Sequence, residues 1–467
     1  MAILIVTVAW LCVWIAGTLV VAALRGPFDV RAPGEAAWTK GAGFVAGAFI
    51  ATLWMRALSA LGIAFGIASI GLPIAALAVV AAAIVWRRGM PPPAALMSAL
   101  REATGLRMVN GWTRVAFAAL LAWLVLRFAF LFADVVLQPL YPWDAWIQWA
   151  TKARVWFELH RMVPFVDTAQ WLAGNGAFYT DASPSYPATV PLWQVLSSVA
   201  LGRFDDALMN IPWWMLAVAF TTAIYGALRR FDFGPLAALA GAAVVATLPI
   251  LDMHVALAGY ADLPMAAYFT LAALALLFAL ERRDRGDALV ALLFAAACPT
   301  IKQPGIAWLA TLAVPLVVAL IPRFGVKLVL AGFAVALAVL LVLAQTSATV
   351  LGYRLHLDFA PPWSGLADSL FLLGTWNILW YGVVAAAAIG VRDWTAPRIA
   401  PLTMLVAAGV LFLFFVFAFT NARAWVDTQT TVNRAILHLA PLVVVWAMLV
   451  FRAGAARLDA ATRPAMT

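Results

Sequence analysis

The chain has 467 residues, of which 66% are hydrophobic and 11% are charged. Soluble globular proteins carry about 45–50% apolar and about 25% charged residues, so this composition excludes a soluble enzyme. The net charge of +9 fits basic loops that face anionic lipids, and it does not indicate a protein that binds nucleic acid. Cys12 and Cys298 both lie in apolar stretches, so neither a disulfide framework nor a zinc or redox pair is indicated.

Apolar segments of about twenty residues recur along the whole chain, and this length spans the hydrocarbon core of a bilayer. The sequence therefore predicts an all-α fold, a polytopic bundle of about 13–14 transmembrane helices. The predicted segments are 3–24, 43–60, 61–86, 115–135, 188–201, 207–228, 235–251, 263–280, 288–299, 305–321, 326–348, 370–390, 402–419 and 436–451. They divide the chain into N-terminal helices with a basic loop (1–114), a transmembrane module (115–453) and a cytoplasmic tail (454–467).

The basic residues predict the orientation of the bundle, because short loops rich in Lys and Arg stay in the cytoplasm. The basic stretches are 87–107, 229–230, 282–283, 323–327, 392–398 and the tail after 452. The other connections, including the long stretch 136–187, would then face the periplasm or the cell exterior across a bacterial inner membrane. This orientation needs an odd number of spans between 136 and 229, so we expect segment 188–201 to re-enter or to lie in the interface.

Residues 281–287 carry three acidic and three basic side chains in one short connection. Such mixed charge is typical of a solvated loop, and the sequence predicts one on the inner face.

The outer loop 136–187 is rich in tryptophan and in charged residues. Its stretch 143–160 has a helical pattern that places Trp146, Trp149 and Ala153 on one side. One interpretation is a helix lying flat on the membrane as an aromatic anchor. The other concerns Asp144, which lies between two tryptophans at the bilayer edge, where a partly desolvated carboxylate could serve as a base.

Five stretches of the chain form an ordered set of motifs on the predicted outer face. They are Trp143-Asp144-Ala145-Trp146 with Trp149, Lys152 and Ala153; Tyr186-Pro187 with Val190-Pro191-Leu192; Gly259-Tyr260-Ala261-Asp262-Leu263-Pro264; Thr300-Ile301-Lys302-Gln303-Pro304-Gly305; and Arg434-Ala435-Ile436-Leu437-His438-Leu439-Ala440-Pro441. This set resembles the motifs of bacterial GT-C glycosyltransferases, which include protein O-mannosyltransferases and lipid A aminoarabinose transferases. The resemblance implies the GT-C fold, with short juxtamembrane helices in a periplasmic loop.

The sequence departs from the resemblance at three points. Many members carry two adjacent acidic residues in the first loop, whereas Ala145 follows Asp144 here. Pro304 stands where the Lys-Asn/Gln-Glu-Gly element has its acidic residue. Four apolar segments precede the first loop, where many members have one.

The resemblance implies an inverting transfer of one sugar from a polyprenyl-phosphate donor to a glycolipid, glycan or protein acceptor, among membrane lipids and without nucleic acid. Asp144 would be the base, and Asp262 would assist it or position the acceptor. Lys302, Arg434 and His438 would hold the donor phosphate, because cations stabilise a phosphate leaving group. The remaining substrate-binding candidates are Trp143, Lys152, Tyr186, Tyr260, Gln303 and His356.

Each charged candidate also has a simpler interpretation. Asp262 could complement a helix dipole, Arg434 could be a snorkelling anchor and His438 a packing residue. No cofactor is certain. Asp252 and His254 share one turn but are too sparse to indicate a metal site, so a divalent cation stays open.

Functions of other classes remain as alternatives. A transporter or a flippase of lipid-linked sugars should show inverted repeats and charges near the bilayer midplane. The sequence has no evident repeat, and most charges lie at one membrane edge. A ligase of the O-antigen type would place its large outer loop late in the chain, where this sequence has only short loops; a membrane acyltransferase is the remaining option.

Overall fold

The computed structural model describes residues 1–26, 32–89, 111–321, 323–346, 348–350, 353–354 and 361–462. The N-terminal half contains α1 (Ala2–Arg25), α2 (Glu35–Ala60), α3 (Ile67–Arg87), α4 (Gly111–Leu137), a π-helix (Ala145–Ala150), α5 (Thr151–Glu158), α6 (Thr168–Ala173), α7 (Thr189–Leu201), a 3-10 turn (Leu208–Asn210) and α8 (Ile211–Arg230).

The second half begins with a bent pair of helices and ends with a long one. It contains α9 (Pro235–Ala246), α10 (Pro249–Ala256), α11 (Asp262–Arg282), α12 (Arg285–Ile301), α13 (Gly305–Thr311), α14 (Ala313–Leu320), α15 (Gly325–Gln345), strands β1 (Thr349–Val350) and β2 (Tyr353–Arg354), α16 (Trp363–Ala367), a π-helix (Asp368–Leu372), α17 (Leu379–Ile389), a 3-10 turn (Val391–Asp393), α18 (Ala400–Phe419), a 3-10 turn (Asn421–Arg423), α19 (Ala424–Asp427), α20 (Val432–Leu437) and α21 (Ala440–Thr462). The two strands pair antiparallel, with Thr349 opposite Arg354.

The chain is a multi-pass helical bundle. Within the described residues, nine helices are long and apolar enough to cross a membrane, or ten if the bent pair α9–α10 counts as one span. The sequence predicts about 13–14 spans, and the difference lies in segments that form short or broken helices. Segment 188–201 forms the 13-residue α7, whose length of about 20 Å falls short of a bilayer core of about 30 Å.

Proline accounts for two of the broken segments. Segment 235–251 is divided before Pro249, where α9 and α10 bend by 62°. Segment 305–321 is divided into α13 and α14, with Pro315 at the third position of α14. Proline breaks a helix because its ring clashes with the preceding turn and its nitrogen has no hydrogen to donate. At the C-terminus, in contrast, α21 continues to Thr462, beyond the predicted end at 451.

Glycines bring α1 and α2 into close contact. A Cβ atom added at Gly17 would lie 2.0 Å from the carbonyl oxygen of Gly43, and one at Gly47 would lie 2.1 Å from that of Val13. Small residues allow membrane helices to associate through backbone packing, since lipid tails are as apolar as large side chains.

Helix α11 runs through the middle of the bundle, and nearly all of its residues are buried. Asp262 begins this helix and Arg282 ends it. At a rise of 1.5 Å per residue, the two side chains are about 30 Å apart, so they mark the two ends of the bundle. We call these the Asp262 end and the Arg282 end.

The Arg282 end contains an ion-pair network, largely buried, whose residues come from five helices. Arg25 Nη2 lies 2.5 Å from Glu35 Oε2, and Arg230 Nη2 lies 2.5 Å from Asp287 Oδ2. Arg25 Nε also donates to Asp287 Oδ1 at 2.9 Å, and Arg282 Nη1 lies 3.0 Å from Glu35 Oε1. The prediction of a solvated loop at 281–287 is therefore wrong for Asp287, whose side chain is fully buried between arginines of α1 and α8.

This network predicts a large loss of stability when Asp287 is neutralised. Asp287→Asn removes one of the two carboxylates that neutralise Arg25 and Arg230, and breaking one side of a buried ion pair costs about 3–5 kcal/mol. We expect a clear fall in the midpoint temperature of thermal unfolding in detergent. Glu281→Gln is the matched control, because Glu281 pairs with the exposed Arg398 and should change the midpoint little. Equal midpoints for the two variants would contradict the structural role of the network.

Candidate functional site

Five predicted residues from separate parts of the chain meet at the Asp262 end. Asp144 precedes the first π-helix and Asp262 begins α11. Lys302 directly follows α12, Arg434 lies in α20 and His438 follows α20. Each lies where a helix begins, ends or is interrupted, so their side chains can converge without displacing the apolar faces that hold the bundle together.

The centre of the site is the carboxylate of Asp262, whose side chain has no exposed surface. Its Oδ1 accepts from Lys302 Nζ at 2.5 Å and lies 3.1 Å from His438 Nε2, and its Oδ2 accepts from Arg434 Nε at 2.9 Å. A buried charge is tolerated only when it is paired and hydrogen-bonded, and Asp262 meets both conditions. Because it is enclosed, its direct effect is to fix the positions of these three side chains.

Arg434 joins the two carboxylates of the site. Its Nε donates to Asp262 and its Nη1 donates to Asp144 Oδ2, while its guanidinium lies 4.5 Å from the centre of the Tyr260 ring. Burial alone would lower the pKa of Arg434, but Asp262 and Asp144 outweigh it and raise that pKa above its usual value. Arg434 is therefore a permanent cation at this position.

The hydrogen bonds of His438 fix its tautomer. Trp308 Nε1, which can only donate, lies 3.1 Å from His438 Nδ1. Nδ1 must then accept, so the ring proton is on Nε2 and is donated to Asp262. Burial lowers the pKa of His438 from its usual 6.5, in agreement with a neutral ring. His438 thus supplies a hydrogen-bond donor and no charge.

A cavity of about 410 Å³ opens beside these residues. One wall is polar and includes Asp144, Gln148, Tyr186, Lys302, Gln303, Thr431, Arg434 and His438. The other wall is apolar and comes mainly from α18, with Phe412, Leu413, Val416 and Phe417, together with Trp308 and Trp425. The cavity therefore suits a ligand with an anionic, polar part and an apolar part.

Two of the predicted substrate-binding residues line the cavity, and a third contacts a residue that lines it. Tyr186 lines it and stacks on Trp149 with ring centres 5.1 Å apart. Gln303 lines it and donates from Nε2 to Ser185 Oγ at 3.0 Å. Tyr260 lies against Arg434 at the base of the site.

The structure separates two other predicted residues from the cavity. Trp143 is 66% exposed and packs against Trp146, with no part in the cavity lining. Lys152 is buried and pairs with Asp181, and this ion pair links two parts of the outer loop 136–187. His356 lies outside the described residues.

Sequence reasoning missed Gln148, Trp308 and the apolar wall. Gln148 follows Asp144 by four residues, so the helical pattern of 143–160 already places both on one face. Phe412, Leu413, Val416 and Phe417 also share a helix face, but α18 is apolar on all sides and its sequence gives no signal that singles them out.

Charged groups at the Asp262 end are paired with one another. Among the described residues, no group of three or more His, Cys, Asp and Glu has an arrangement that could hold a metal ion. Asp252 is paired with Arg127, and His254 is bonded through Nδ1 to the carbonyl of Ile250 at 2.7 Å.

Comparison with known protein families, with curated proteins and with solved structures gives no match to this chain. The resemblance to GT-C glycosyltransferases therefore stays a prediction from the motifs. The function proposed for this chain rests on the geometry of the site.

The neutral state of His438 predicts how stability depends on pH. In the unfolded chain this residue takes up a proton near pH 6.5, whereas the folded protein holds it neutral to lower pH. Below pH 6.5 the unfolded state binds more protons, so the free energy of unfolding falls as the pH decreases.

We expect the midpoint temperature of the wild type to fall more between pH 7.5 and pH 5.5 than that of His438→Gln. A glutamine can accept from Trp308 and donate to Asp262 but does not titrate. All other titrating groups are common to both proteins, so their difference isolates His438. Parallel pH profiles for the two proteins would show that His438 is not held neutral.

Proposed function

We propose that this chain is an integral-membrane glycosyltransferase of the GT-C type. It would transfer a single sugar from a polyprenyl-phosphate donor to a hydroxyl group of a glycolipid, glycan or protein on the extracytoplasmic side. The observation that supports this most is the division of one cavity into a wall with two cations and a carboxylate and a wall of aromatic and aliphatic side chains.

The two walls correspond to the two halves of the proposed donor. Lys302 and Arg434 both line the cavity and would bind the phosphate, as cations do when they stabilise developing negative charge on a leaving group. The first isoprene units would lie against Phe412, Val416 and Phe417 of α18. A free nucleotide-sugar would have no use for this apolar wall.

The two carboxylates would have different roles because their exposure differs. The Asp144 side chain is 26% exposed and lines the cavity, whereas that of Asp262 is fully enclosed. Asp144 would therefore act as the base, and Asp262 would hold Lys302, Arg434 and His438 in place.

The reaction then balances without a further reactant. The acceptor oxygen attacks C1 of the sugar while its proton passes to Asp144. The bond between C1 and the phosphate oxygen breaks, and its electron pair leaves with the polyprenyl phosphate, whose charge Lys302 and Arg434 would stabilise.

The distribution of basic residues supports an extracytoplasmic site. Arg25, Arg230 and Arg282 lie in the ion-pair network at the Arg282 end. Arg398 contacts Glu281 and Arg452 donates to the carbonyl of Phe231, which brings two late basic stretches to the same end. Since basic segments stay in the cytoplasm, the Asp262 end would face outward.

The proposal predicts that Asp144→Asn abolishes transfer while donor binding persists. An asparagine cannot take up the hydroxyl proton, and loss of a general base lowers kcat by about a hundredfold or more. The measurement is transfer of label from polyprenyl-phosphate sugars to membrane extract by the purified protein in lipid nanodiscs.

Trp143→Phe is the neighbouring control, because Trp143 is exposed beside Asp144 but outside the cavity, and it should keep near-normal transfer. Full activity of Asp144→Asn would refute the assignment of the base. Movement of the lipid across vesicles by a wild type that transfers no sugar would replace the transferase with a flippase.

A further inference from the structure

The Arg434 guanidinium would interact with two groups of the proposed reaction, the donor phosphate and the base. It is one of the two cavity cations suited to a donor phosphate, and it is also bonded to the carboxylate proposed as the base. We propose that Arg434 is a donor-operated switch: it masks Asp144 while the site is empty, and the phosphate group of the donor draws it away. This inference rests on the proposed function and adds an order of events to it.

The two carboxylates that bind Arg434 differ in burial and in the number of their other partners. Asp262 is fully enclosed and also accepts from Lys302 at 2.5 Å and lies 3.1 Å from His438 Nε2. Within the described part of the chain, Asp144 has Arg434 as its one ion-pair partner. A phosphate that competes for the guanidinium would therefore displace Asp144 and leave the contact with Asp262.

The charges of the site favour the same outcome. Asp144 and Asp262 balance Lys302 and Arg434, while His438 is neutral, so these groups sum to zero. A phosphate adds negative charge next to the cations and repels the more exposed carboxylate, Asp144.

Release from Arg434 also changes what Asp144 can do. In the structure Asp144 Oδ2 accepts from Arg434 Nη1, so this oxygen is already occupied. When the contact with Arg434 is lost, the oxygen is free to accept the proton of the acceptor hydroxyl. The acceptor hydroxyl would then be activated only when a donor is present, which favours binding of the donor first.

Because Arg434 masks Asp144 in the empty site, the proposal predicts that removal of the Asp144 charge tightens binding of the donor phosphate. The test measures the dissociation constant of polyprenyl phosphate, without sugar, for the full-length protein in nanodiscs of neutral lipid. Asp144→Asn should bind about fivefold or more tightly, a factor at the low end of typical couplings between sites. In an Arg434→Gln background the same substitution should improve binding much less, since the competition for Arg434 no longer exists and only the repulsion between Asp144 and the phosphate is relieved.

Glu158→Gln is the matched control for charge. Glu158 belongs to the same loop, its side chain is 57% exposed, and its nearest cation, Arg154, is 3.9 Å away. This variant should bind polyprenyl phosphate like the wild type. An equal gain in affinity for Glu158→Gln would indicate a general charge effect and overturn the switch.

The remaining outcomes separate the switch from the proposed function. Binding by the wild type with unchanged or weaker binding by Asp144→Asn would overturn the switch alone. If Arg434→Gln does not fold, the comparison of Asp144→Asn with Glu158→Gln decides the matter. No binding of polyprenyl phosphate by any of the folded proteins would overturn the proposed donor, and the switch with it.

Discussion

The site depends on one constraint, the burial of the Asp262 carboxylate. An enclosed negative charge is stable only if neighbouring groups neutralise and hydrogen-bond it, and no single segment of this chain could supply all of its partners. Lys302 comes from the end of α12, while Arg434 and His438 come from α20 and the turn after it. In bringing these segments together, Asp262 creates a wall of fixed charge against which an apolar helix, α18, closes a cavity.

The same helix that begins at Asp262 ends in the ion-pair network around Arg282. Both ends of the bundle thus contain buried charge, but the two are built differently. In the network, Arg25, Arg230 and Asp287 are almost completely enclosed and are paired with one another. At the Asp262 end, Arg434 and Asp144 keep part of their surface open to a cavity. Enclosed ion pairs stabilise the fold, whereas charged groups that are exposed to a cavity beside an apolar wall are suited to binding a ligand.

Much of the fold and the main residues of the site could be predicted from the sequence. Long apolar segments identify a helical membrane protein, and ionisable residues at the predicted outer ends single out Asp144, Asp262, Lys302, Arg434 and His438, which the structure brings together. Lys152 shows the limit of this reasoning, because its partner Asp181 lies 29 residues away and only the folded loop reveals the pair.

Other features were beyond the sequence because they arise from packing. Asp287 lies in a strongly charged stretch that resembles a solvated loop, and its burial follows from arginines that arrive on α1 and α8. The neutral tautomer of His438 depends on Trp308, a residue of α13 that is 130 positions away in the sequence. The predicted number of spans exceeds the nine or ten long helices of the described residues, in part because hydropathy does not register where proline divides a segment.

The close packing of α1 on α2 has a consequence for biogenesis. These helices are synthesised before α3 to α21, and they contain their own contact surface in Gly17, Gly43 and Gly47 as well as their own ion pair, Arg25 with Glu35. An N-terminal hairpin can therefore leave the translocon already neutral at its buried end. Arg230 and Asp287, which are synthesised later and separately, then contact the groups of this pair, and the enclosed part of the network is neutral once both are in place.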